Sequence, residues 1–489
     1  MAYGFRPYAL EQAYLLPVAP REWLDDGHLA LFVHDAVSTV DLSPILKEYR
    51  GGRGPKGYHP QLLLEVLLYG YCTGTFSSRR LAARCETDVP CIVLANGQRP
   101  DFRTLSGFRK RHLPAMQALF VEVLRLCREA GLVKLGHLSL DGSKYQANAS
   151  KHKAMSYGRI RTVEPELEAE IAALLARAAE TDAAEDAEHG IDRRGDELPE
   201  ELRRREGRLA KIQEAKRRLE ERAQERALER AVARAGGASD AELAVALAQA
   251  VPGEKEQSNF TDPDSRIMKA KSGWVQGYNA QVVVEEQSGV IVAQEVSHHA
   301  ADSPRLAPVL DATDATLAAI GVPEGTRTPQ HFSADAGYCS EKNLALLAAR
   351  GIDAYVATGR ERHHRRGHRG IDLPAPPDLP DLPATPTPQR TPLRAAMRAK
   401  LQTEEGRAIY ARRKCITEPV HGLIKQARGF RQFLLRSLTK VRAEFTLVAL
   451  THNLLKLWRN ALRRRTAVTG VVADPITAVL STTAPFAVA

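Results

Sequence analysis

The chain has 489 residues, of which 44% are hydrophobic and 26% charged, so it is long enough for about three domains of roughly 150 residues each. Ordinary contents of 34 Gly and 28 Pro exclude a fibrous or a globally disordered protein. An excess of Lys and Arg over Asp and Glu gives a formal charge of +10 and a pI near 9.3, which favours a polyanionic partner such as nucleic acid.

The cysteines and the hydropathy pattern indicate the compartment. The six cysteines are scattered without a C-x-x-C pair, so neither a zinc site nor a disulfide framework is expected. No stretch reaches the ~18 uninterrupted apolar residues that a membrane span needs, and the N-terminus lacks the pattern of a secretion signal. The sequence therefore predicts a soluble protein of a reducing cytoplasm, with no membrane partner.

Short helices are predicted for the N-terminal segment, residues 1–130. An amphipathic block follows Pro60, and Thr104 is a suitable N-cap for a later helix that runs toward Leu126. This later helix has three consecutive basic residues near its start: Arg109, Lys110 and Arg111. Such a helix either contacts DNA phosphates or presents a solvated face, and the charge run alone does not decide between them.

A first strand is predicted before Asp141, because apolar positions alternate from Leu135 and stop at this acid. It opens the segment 131–158. The composition then turns to Ala, Glu, Arg and Leu, which predicts a helical hairpin or coiled coil within 159–258, with a break near 190–199. Such a segment is usually a spacer or an oligomerisation arm.

Strand signals return in the segment 259–359. Two strands joined by a turn at Gly289 predict a hairpin, and a helix begins near Ser303. A further strand ends in Asp335. Asp302 lies close to the helix start, where Ser303 is the better cap.

The last part of the chain is basic. A Pro-rich linker is predicted at 360–392 and helices within 393–465, whereas the composition of the tail 466–489 indicates no role. Cations are densest on these helices, and they include Lys456, Arg459, Arg463 and Arg464. Binding of DNA there would depend strongly on salt, because each cation placed on a phosphate releases counterions.

The order of these elements predicts an α/β fold, a mixed sheet flanked by helices. Asp141 and Asp335 each end a predicted strand, and Glu418 lies in a late helix. Carboxylates in such places can hold two divalent cations about 3.5–4 Å apart, and oxygen ligands suit Mg²⁺ or Mn²⁺. Either aspartate alone would be typical of an ordinary strand-to-loop turn.

Glu418 shares one helical stripe with polar residues at steps of three and four: Tyr410, Lys414, His421 and Lys425. The stripe, with Arg413 beside it, places a carboxylate among cations that can hold phosphates. The alternative is an ordinary surface pair of Lys414 and Glu418. Pro419 predicts a kink or a helix start at this point.

Five motifs strongly resemble those of bacterial insertion-sequence transposases of the DDE type: Leu140-Asp141-Gly-Ser, Thr261-Asp-Pro-Asp-Ser-Arg266, Gln276-Gly-Tyr-Asn-Ala-Gln281, Ala334-Asp335-Ala-Gly-Tyr338 and Tyr410-x2-Arg413-x4-Glu418-x6-Lys425. The resemblance spans nearly the whole chain. It implies a ribonuclease-H-like catalytic domain with a helical or coiled-coil insertion after the first strand, preceded by an all-α DNA-binding domain. The family signature has three residues between Arg and Glu where this chain has four, so either Lys414 takes the place of the arginine or the helix is locally irregular.

The resemblance also implies a chemistry. Asp141, Asp335 and Glu418 would bind two Mg²⁺ ions, with Mn²⁺ able to substitute, and would catalyse DNA cleavage and strand transfer by in-line attack. DNA or phosphate contacts are implied for Tyr410, Arg413, Lys414, Lys425, Arg109, Lys110 and Arg111. The partners would be the terminal repeats of the element, target DNA and further copies of the chain, as a homodimer or higher oligomer in the bacterial cytosol. A nuclease of the same fold without strand transfer and an inert DNA-binding regulator are the alternatives.

Overall fold

The computed structural model of the chain describes residues 19–49, 57–189, 200–235, 239–270, 273–359 and 391–468. The predicted linker and tail therefore lie almost entirely outside the described residues, as does the predicted break in the helical segment. Across the described ranges, no helix is both long and apolar enough to cross a membrane.

In the described part of the chain, seven helices precede the sheet: α1 (Leu29–Ser38), α2 (Ser43–Leu46), α3 (Pro60–Cys72), α4 (Ser78–Thr87), α5 (Val89–Leu94), α6 (Phe102–Arg111) and α7 (Ala115–Glu129). Helix α3 is apolar on all sides and is buried along nearly its whole length. The prediction of one helix beginning after Thr104 was wrong. Asp101 caps α6 by accepting hydrogen bonds from the amides of Arg103 and Thr104, and α7 begins only after Pro114.

The described strands are β1 (His137–Gln146), β2 (Ala154–Ser156), β3 (Gln257–Asn259), β4 (Arg266–Ala270), β5 (Gly273–Glu285), β6 (Ile291–Ser297), β7 (His331–Ala334) and β8 (Ala354–Val356). Six of them form a mixed sheet. Strand β5 pairs antiparallel with β4, β6 and β1, and then β1, β7 and β8 run parallel. This is the predicted mixed sheet.

The sequence predicted that the first strand ends at Asp141, but β1 continues to Gln146. Its neighbours differ along its length. Strand β5 pairs with it from Leu138 to Gln146, whereas β7 pairs with it only as far as Leu140. Asp141 therefore lies at the point where β1 loses one of its two neighbouring strands.

The remaining helices are α8 (Tyr157–His189), α9 (Glu200–Ala235), α10 (Asp240–Ala248), α11 (Leu306–Ala319), α12 (Glu341–Ala349), α13 (Pro392–Gln402), α14 (Glu404–Gly422) and α15 (Leu438–Val468). Helix α14 continues through Pro419 without the predicted start. The irregularity follows it, as a π-helical turn at Leu423–Ala427 in which the amide of Arg428 donates to the carbonyl of Leu423.

One hydrophobic core joins the N-terminal helices to the sheet. Helix α15 packs against α3, α7 and β6, so side chains from both parts of the chain share this core. Phe430, Phe433 and Phe445 surround Tyr145 of β1 and are buried, so these aromatic residues are part of the core.

Helices α8 and α9 form an antiparallel pair with a second, smaller core. Residues of α8, such as Leu167 and Ile171, pack against Ile212 and Leu219 of α9. Ion pairs flank this core, including Lys216 to Glu164 at 2.7 Å and Arg205 to Glu170 at 3.0 Å. The antiparallel β2–β3 pair lies at the base of these helices.

Candidate active site

The register of two parallel strands places Asp141 next to Asp335. Leu140 of β1 lies opposite Ala334 of β7. Asp141 directly follows Leu140, and Asp335 directly follows Ala334. Neighbouring strands are about 4.8 Å apart. Asp335 caps the 3₁₀ turn Ala336–Tyr338 by accepting a 2.9 Å hydrogen bond from the amide of Gly337. The two predicted carboxylates, which are far apart in the sequence, are thus neighbours in the structure.

The two aspartates share a buried setting that disfavours their charges. Burial raises the pKa of Asp141 to about 6; the guanidinium of Arg413 opposes this shift, and the charge of Asp335 adds to it. Burial also raises the pKa of Asp335, with the charge of Asp302 as the next cause. Two carboxylates in one buried site are a favourable setting for a cation.

A third carboxylate near the pair, Asp302, was not predicted. Its Oδ2 and the Oδ1 of Asp335 each lie 3.0 Å from the Cβ position that a side chain at Gly337 would occupy, so no more than about 6 Å separates the two oxygens. Asp302 Oδ1 accepts hydrogen bonds from Asn279 Nδ2 at 2.7 Å and from Gln281 Nε2 at 2.9 Å. The signal for this site was a pair of amides two residues apart, on one face of an otherwise apolar strand.

Helix α14 contributes a cation and a hydroxyl to Asp141. Arg413 Nη1 lies 3.7 Å from Asp141 Oδ1, and Thr417 Oγ1 donates a 3.5 Å hydrogen bond to Asp141 Oδ2. The side chain of Arg413 is 12% exposed, and its Nε and Nη1 atoms have no hydrogen-bond partner among the described residues. Lys414 does not take the place of the arginine, because Arg413 is the residue that faces the aspartate. The helical irregularity lies after Glu418, not between Arg413 and Glu418.

Glu418 lies on the same helix but does not join the two aspartates. Its side chain is exposed, and Thr417, one residue earlier, is the residue that faces Asp141. Lys414 is also exposed, and Tyr410 is half-buried with the Arg413 guanidinium 5.8 Å from its ring centre. Across the described ranges, no three Asp, Glu, His or Cys side chains lie close enough to hold a metal ion.

Lys425 binds the part of β1 that extends beyond Asp141. Its Nζ donates hydrogen bonds to Ser143 Oγ and, at 2.8 Å, to the carbonyl of Lys144, and it lies 4.3 Å from the ring centre of Tyr145. His421 also faces this segment, with Nδ1 3.3 Å from Tyr145 Oη, and burial lowers its pKa to about 3. Lys425 therefore stabilises the strand that carries Asp141.

The basic run of α6 divides between the interior and the surface. Arg109 is 5% exposed and donates hydrogen bonds to Tyr71 Oη at 3.0 Å and to the carbonyl of Phe76 at 3.1 Å. Tyr71 in turn donates to the buried carboxylate of Glu444 at 3.4 Å. Arg109 therefore has a structural role, in contrast to the predicted phosphate contact, whereas the two residues that follow it are exposed.

The donor atoms around the two aspartates fit a hard divalent cation. Such cations take carboxylate and carbonyl oxygens as ligands. Beside the carboxylates, three buried oxygens have no hydrogen-bond partner in the described part of the chain: Asn279 Oδ1, Gln281 Oε1 and Tyr338 Oη. The raised pKa of both aspartates agrees with this fit, because a bound cation would favour the charged carboxylates that burial disfavours.

Comparison with known families identifies the class of protein. Residues 248–454 match the transposase DDE domain, and residues 19–111 match a transposase domain (DUF772). No curated protein and no solved structure matches the chain. The two family matches lie in the order that the motifs predicted, and the mixed sheet with its helices is compatible with a ribonuclease-H-like domain. Together the two matches indicate a DDE transposase of an insertion sequence.

Proposed function

We propose that this transposase binds the ends of its own element and catalyses Mg²⁺-dependent DNA cleavage and strand transfer. The observation that carries the proposal is the pairing of Asp141 with Asp335, beneath a helix that presents Arg413 to them and carries Glu418. In-line transesterification needs no covalent intermediate with the protein. This site has two carboxylates and the guanidinium of Arg413, groups that such chemistry uses.

Asp141 and Asp335 would hold Mg²⁺, and we propose that Glu418 joins them when metal and DNA are bound. The chemistry that paired divalent ions supply is activation of the attacking oxygen and stabilisation of the leaving oxygen. Asp302 keeps its hydrogen bonds to the amides of β5 and shapes the wall of the site. Its charge is already paired with Lys144, whose Nζ lies 3.2 Å from Asp302 Oδ1.

Cationic groups of α14 would bind the scissile phosphate. Charge develops on the non-bridging oxygens during attack, and donors that are already in place stabilise it most. Arg413 has two buried nitrogen donors, Nε and Nη1, without an acceptor among the described residues, so we propose it as the main phosphate contact. Lys414 and Tyr410 would contact the flanking backbone or a terminal base. Lys425 acts through the backbone of β1 as a positioning residue.

The rest of the chain has roles in recognition and assembly under this proposal. Lys110 and Arg111 are exposed on α6 and would contact the phosphates of the element ends. The α8–α9 pair, between β1 and β5 in the chain, would be the insertion of a ribonuclease-H-like domain and would support a dimer or higher oligomer. Two element ends must be processed together, which favours such an assembly. We propose the bacterial cytosol as its location.

A cleavage and joining assay on the DNA that flanks the coding sequence tests the proposal. Asp141→Asn, Asp335→Asn and Glu418→Gln should each abolish Mg²⁺-dependent cleavage while binding of the ends persists. Glu405→Gln is the matched control, an exposed carboxylate on the same helix as Glu418. A variant that keeps normal cleavage removes its residue from the site. Cleaved ends that are never joined to a target would identify a nuclease instead of a transposase.

A further inference from the structure

A basic cavity lies at the end of the sheet where β1 begins, opposite to the end that carries the paired aspartates. Its volume is about 440 Å³, and it is enclosed by the segment before β1, the β5–β6 turn and the C-terminal part of α15. Strands β1 and β7 begin on this side, and Asp141 lies four residues into β1, roughly 13 Å further along the strand. The cavity is therefore separate from the catalytic site.

Cations outnumber acids on the wall of the cavity. One carboxylate, that of Glu285, faces five cationic residues: Lys134, Lys456, Arg459, Arg463 and Arg464. Glu285 already accepts hydrogen bonds from the amide of Ser288 at 2.7 Å and from its hydroxyl at 2.6 Å. The cavity thus concentrates positive charge that its own acid does not neutralise.

Three of these cations have no partner in the described part of the chain. Lys134, Lys456 and Arg459 make no hydrogen bond or ion pair with any described residue. Lys456 is half-buried, and burial lowers its pKa, as do the charges of Arg459 and Arg463. Cations held together in this way, at an electrostatic cost, are typical of a site for an anion.

Two further observations indicate an anion with several acceptor oxygens. The amide nitrogen Nδ2 of Asn460, on the cavity wall, is buried without a hydrogen-bond partner among the described residues. Gly289 has a φ of 69°, and a Cβ there would lie 2.6 Å from Lys456 Nζ. The glycine therefore leaves room for the ammonium group. Ammonium, guanidinium and amide donors that converge without an acceptor match the chemistry of phosphate.

We propose that this cavity binds phosphates of DNA, as a second contact away from the catalytic carboxylates. Lys456, Arg459 and Arg463 follow one another at steps of three and four on α15, so they form one stripe. The stripe spans about 10 Å, the rise of about three nucleotides along the axis of a duplex, so it is long enough to reach neighbouring phosphates of one strand. This length favours a DNA backbone over a single small anion. The inference rests on the proposed function only in taking DNA as the substrate.

Salt-dependent binding tests the site without catalysis. The full chain is titrated with a fluorescent duplex of arbitrary sequence by anisotropy, with metal chelated, between 50 and 200 mM salt. The double variant Lys134→Ala/Arg459→Ala should bind about tenfold more weakly or worse, and its slope of log affinity against log salt should decrease by about 2. The control Arg230→Ala/Lys255→Ala removes the same charge from two exposed residues elsewhere and should keep the wild-type slope.

A cavity variant that binds DNA with the affinity and slope of the control would overturn the proposal. Titration with pyrophosphate by calorimetry separates the two sources of phosphate. Micromolar binding of pyrophosphate, lost in the cavity variant while DNA affinity stays at the control value, would also overturn the DNA assignment. Mg²⁺-dependent cleavage by the wild type is measured separately. Its absence would contradict the proposed function and leave the binding result standing.

Discussion

A methyl group added at Gly142 tests whether the polar cluster beside Asp141 supports catalysis. A Cβ at this position would lie 2.8 Å from Asp302 Oδ1, 3.1 Å from Gln281 Nε2 and 3.2 Å from Tyr338 Oη. All three atoms are side-chain ends, which can move while the backbone of β1 stays in place. We therefore expect Gly142→Ala to displace the Asp302 carboxylate and to leave the pairing of β1 with β5 intact.

The size of the displacement sets the expected effects. Ordinary contact begins near 3.4 Å, so Asp302 Oδ1 must move by at least about 0.6 Å. The hydrogen bonds that it accepts from β5 weaken, each worth about 0.5–1.5 kcal/mol, while loss of a strand glycine returns about 0.5–1 kcal/mol. The net loss of unfolding free energy should be at most about 2.5 kcal/mol. A misplacement approaching 1 Å beside the reacting groups should slow cleavage by about 10- to 100-fold.

Single-turnover cleavage of an end substrate with Mg²⁺ gives the rate, and urea denaturation gives the stability. The matched control is Gly207→Ala in α9, where a Cβ would meet no heavy atom of the described residues within 4 Å. The control should cleave at the wild-type rate and gain up to about 1 kcal/mol in stability. A folded Gly142→Ala variant with the wild-type cleavage rate would refute the idea that the Asp302 cluster shapes the site.

Three further predictions concern the scaffold. Arg109→Met removes the buried cation that the Tyr71 hydroxyl links to Glu444, and it leaves the Phe76 carbonyl without this donor. Urea denaturation should therefore show a loss of about 3–5 kcal/mol, whereas the exposed neighbour Lys110→Met should change stability by less than about 0.5 kcal/mol; equal effects would contradict the buried role. Burial lowers the pKa of His452 to about 3, below the 6.5 of an unfolded chain, so only the unfolded state gains a proton as pH falls. Stability should then decrease by up to about 1.4 kcal/mol per pH unit from pH 6.5 toward 4, and His452→Gln should flatten that slope in urea titrations; an unchanged slope would exclude this histidine as its source. Replacing residues 169–212 by a short Gly/Ser turn, between the contacting Glu168 and Gln213, should keep the unfolding transition of the main core and change the mass in sedimentation; an unchanged mass would exclude an assembly role.

The alternation of apolar residues predicted the hairpin of β5 and β6 and the strand before Asp335, because these strands bury one or both faces. It could not predict the true end of β1. Alternation stops at Asp141, but β5 continues to pair with β1 through backbone hydrogen bonds that do not depend on the side chains. The start of α6 was missed for another reason: Asp101 and Thr104 are both good caps, and sequence alone does not rank them.

Asp141 and Asp335 could be predicted because each directly follows a buried strand segment. Asp302 could not, since its importance comes from the register of β5, which turns two amides toward it. The family resemblance implied a DNA contact for Arg109, and its basic neighbours did not decide the question. Its position four residues after Leu105 and next to Phe108 already placed it on the buried stripe of α6, and this periodicity was the better signal.

The geometry of the site depends on how α14 follows β1. Residues of this helix at steps of four face the strand: Arg413, Thr417, His421 and, in the π-helical turn, Lys425. In an uninterrupted α-helix each step of four drifts by about 40°, so Lys425 would have turned about 120° away from the direction of Arg413. The wider π turn, with its i→i+5 hydrogen bond, reduces this drift. Lys425 can therefore still bind β1 just beyond Asp141, on the side where β7 has ended, so the irregular turn is part of what fixes the carboxylate in place.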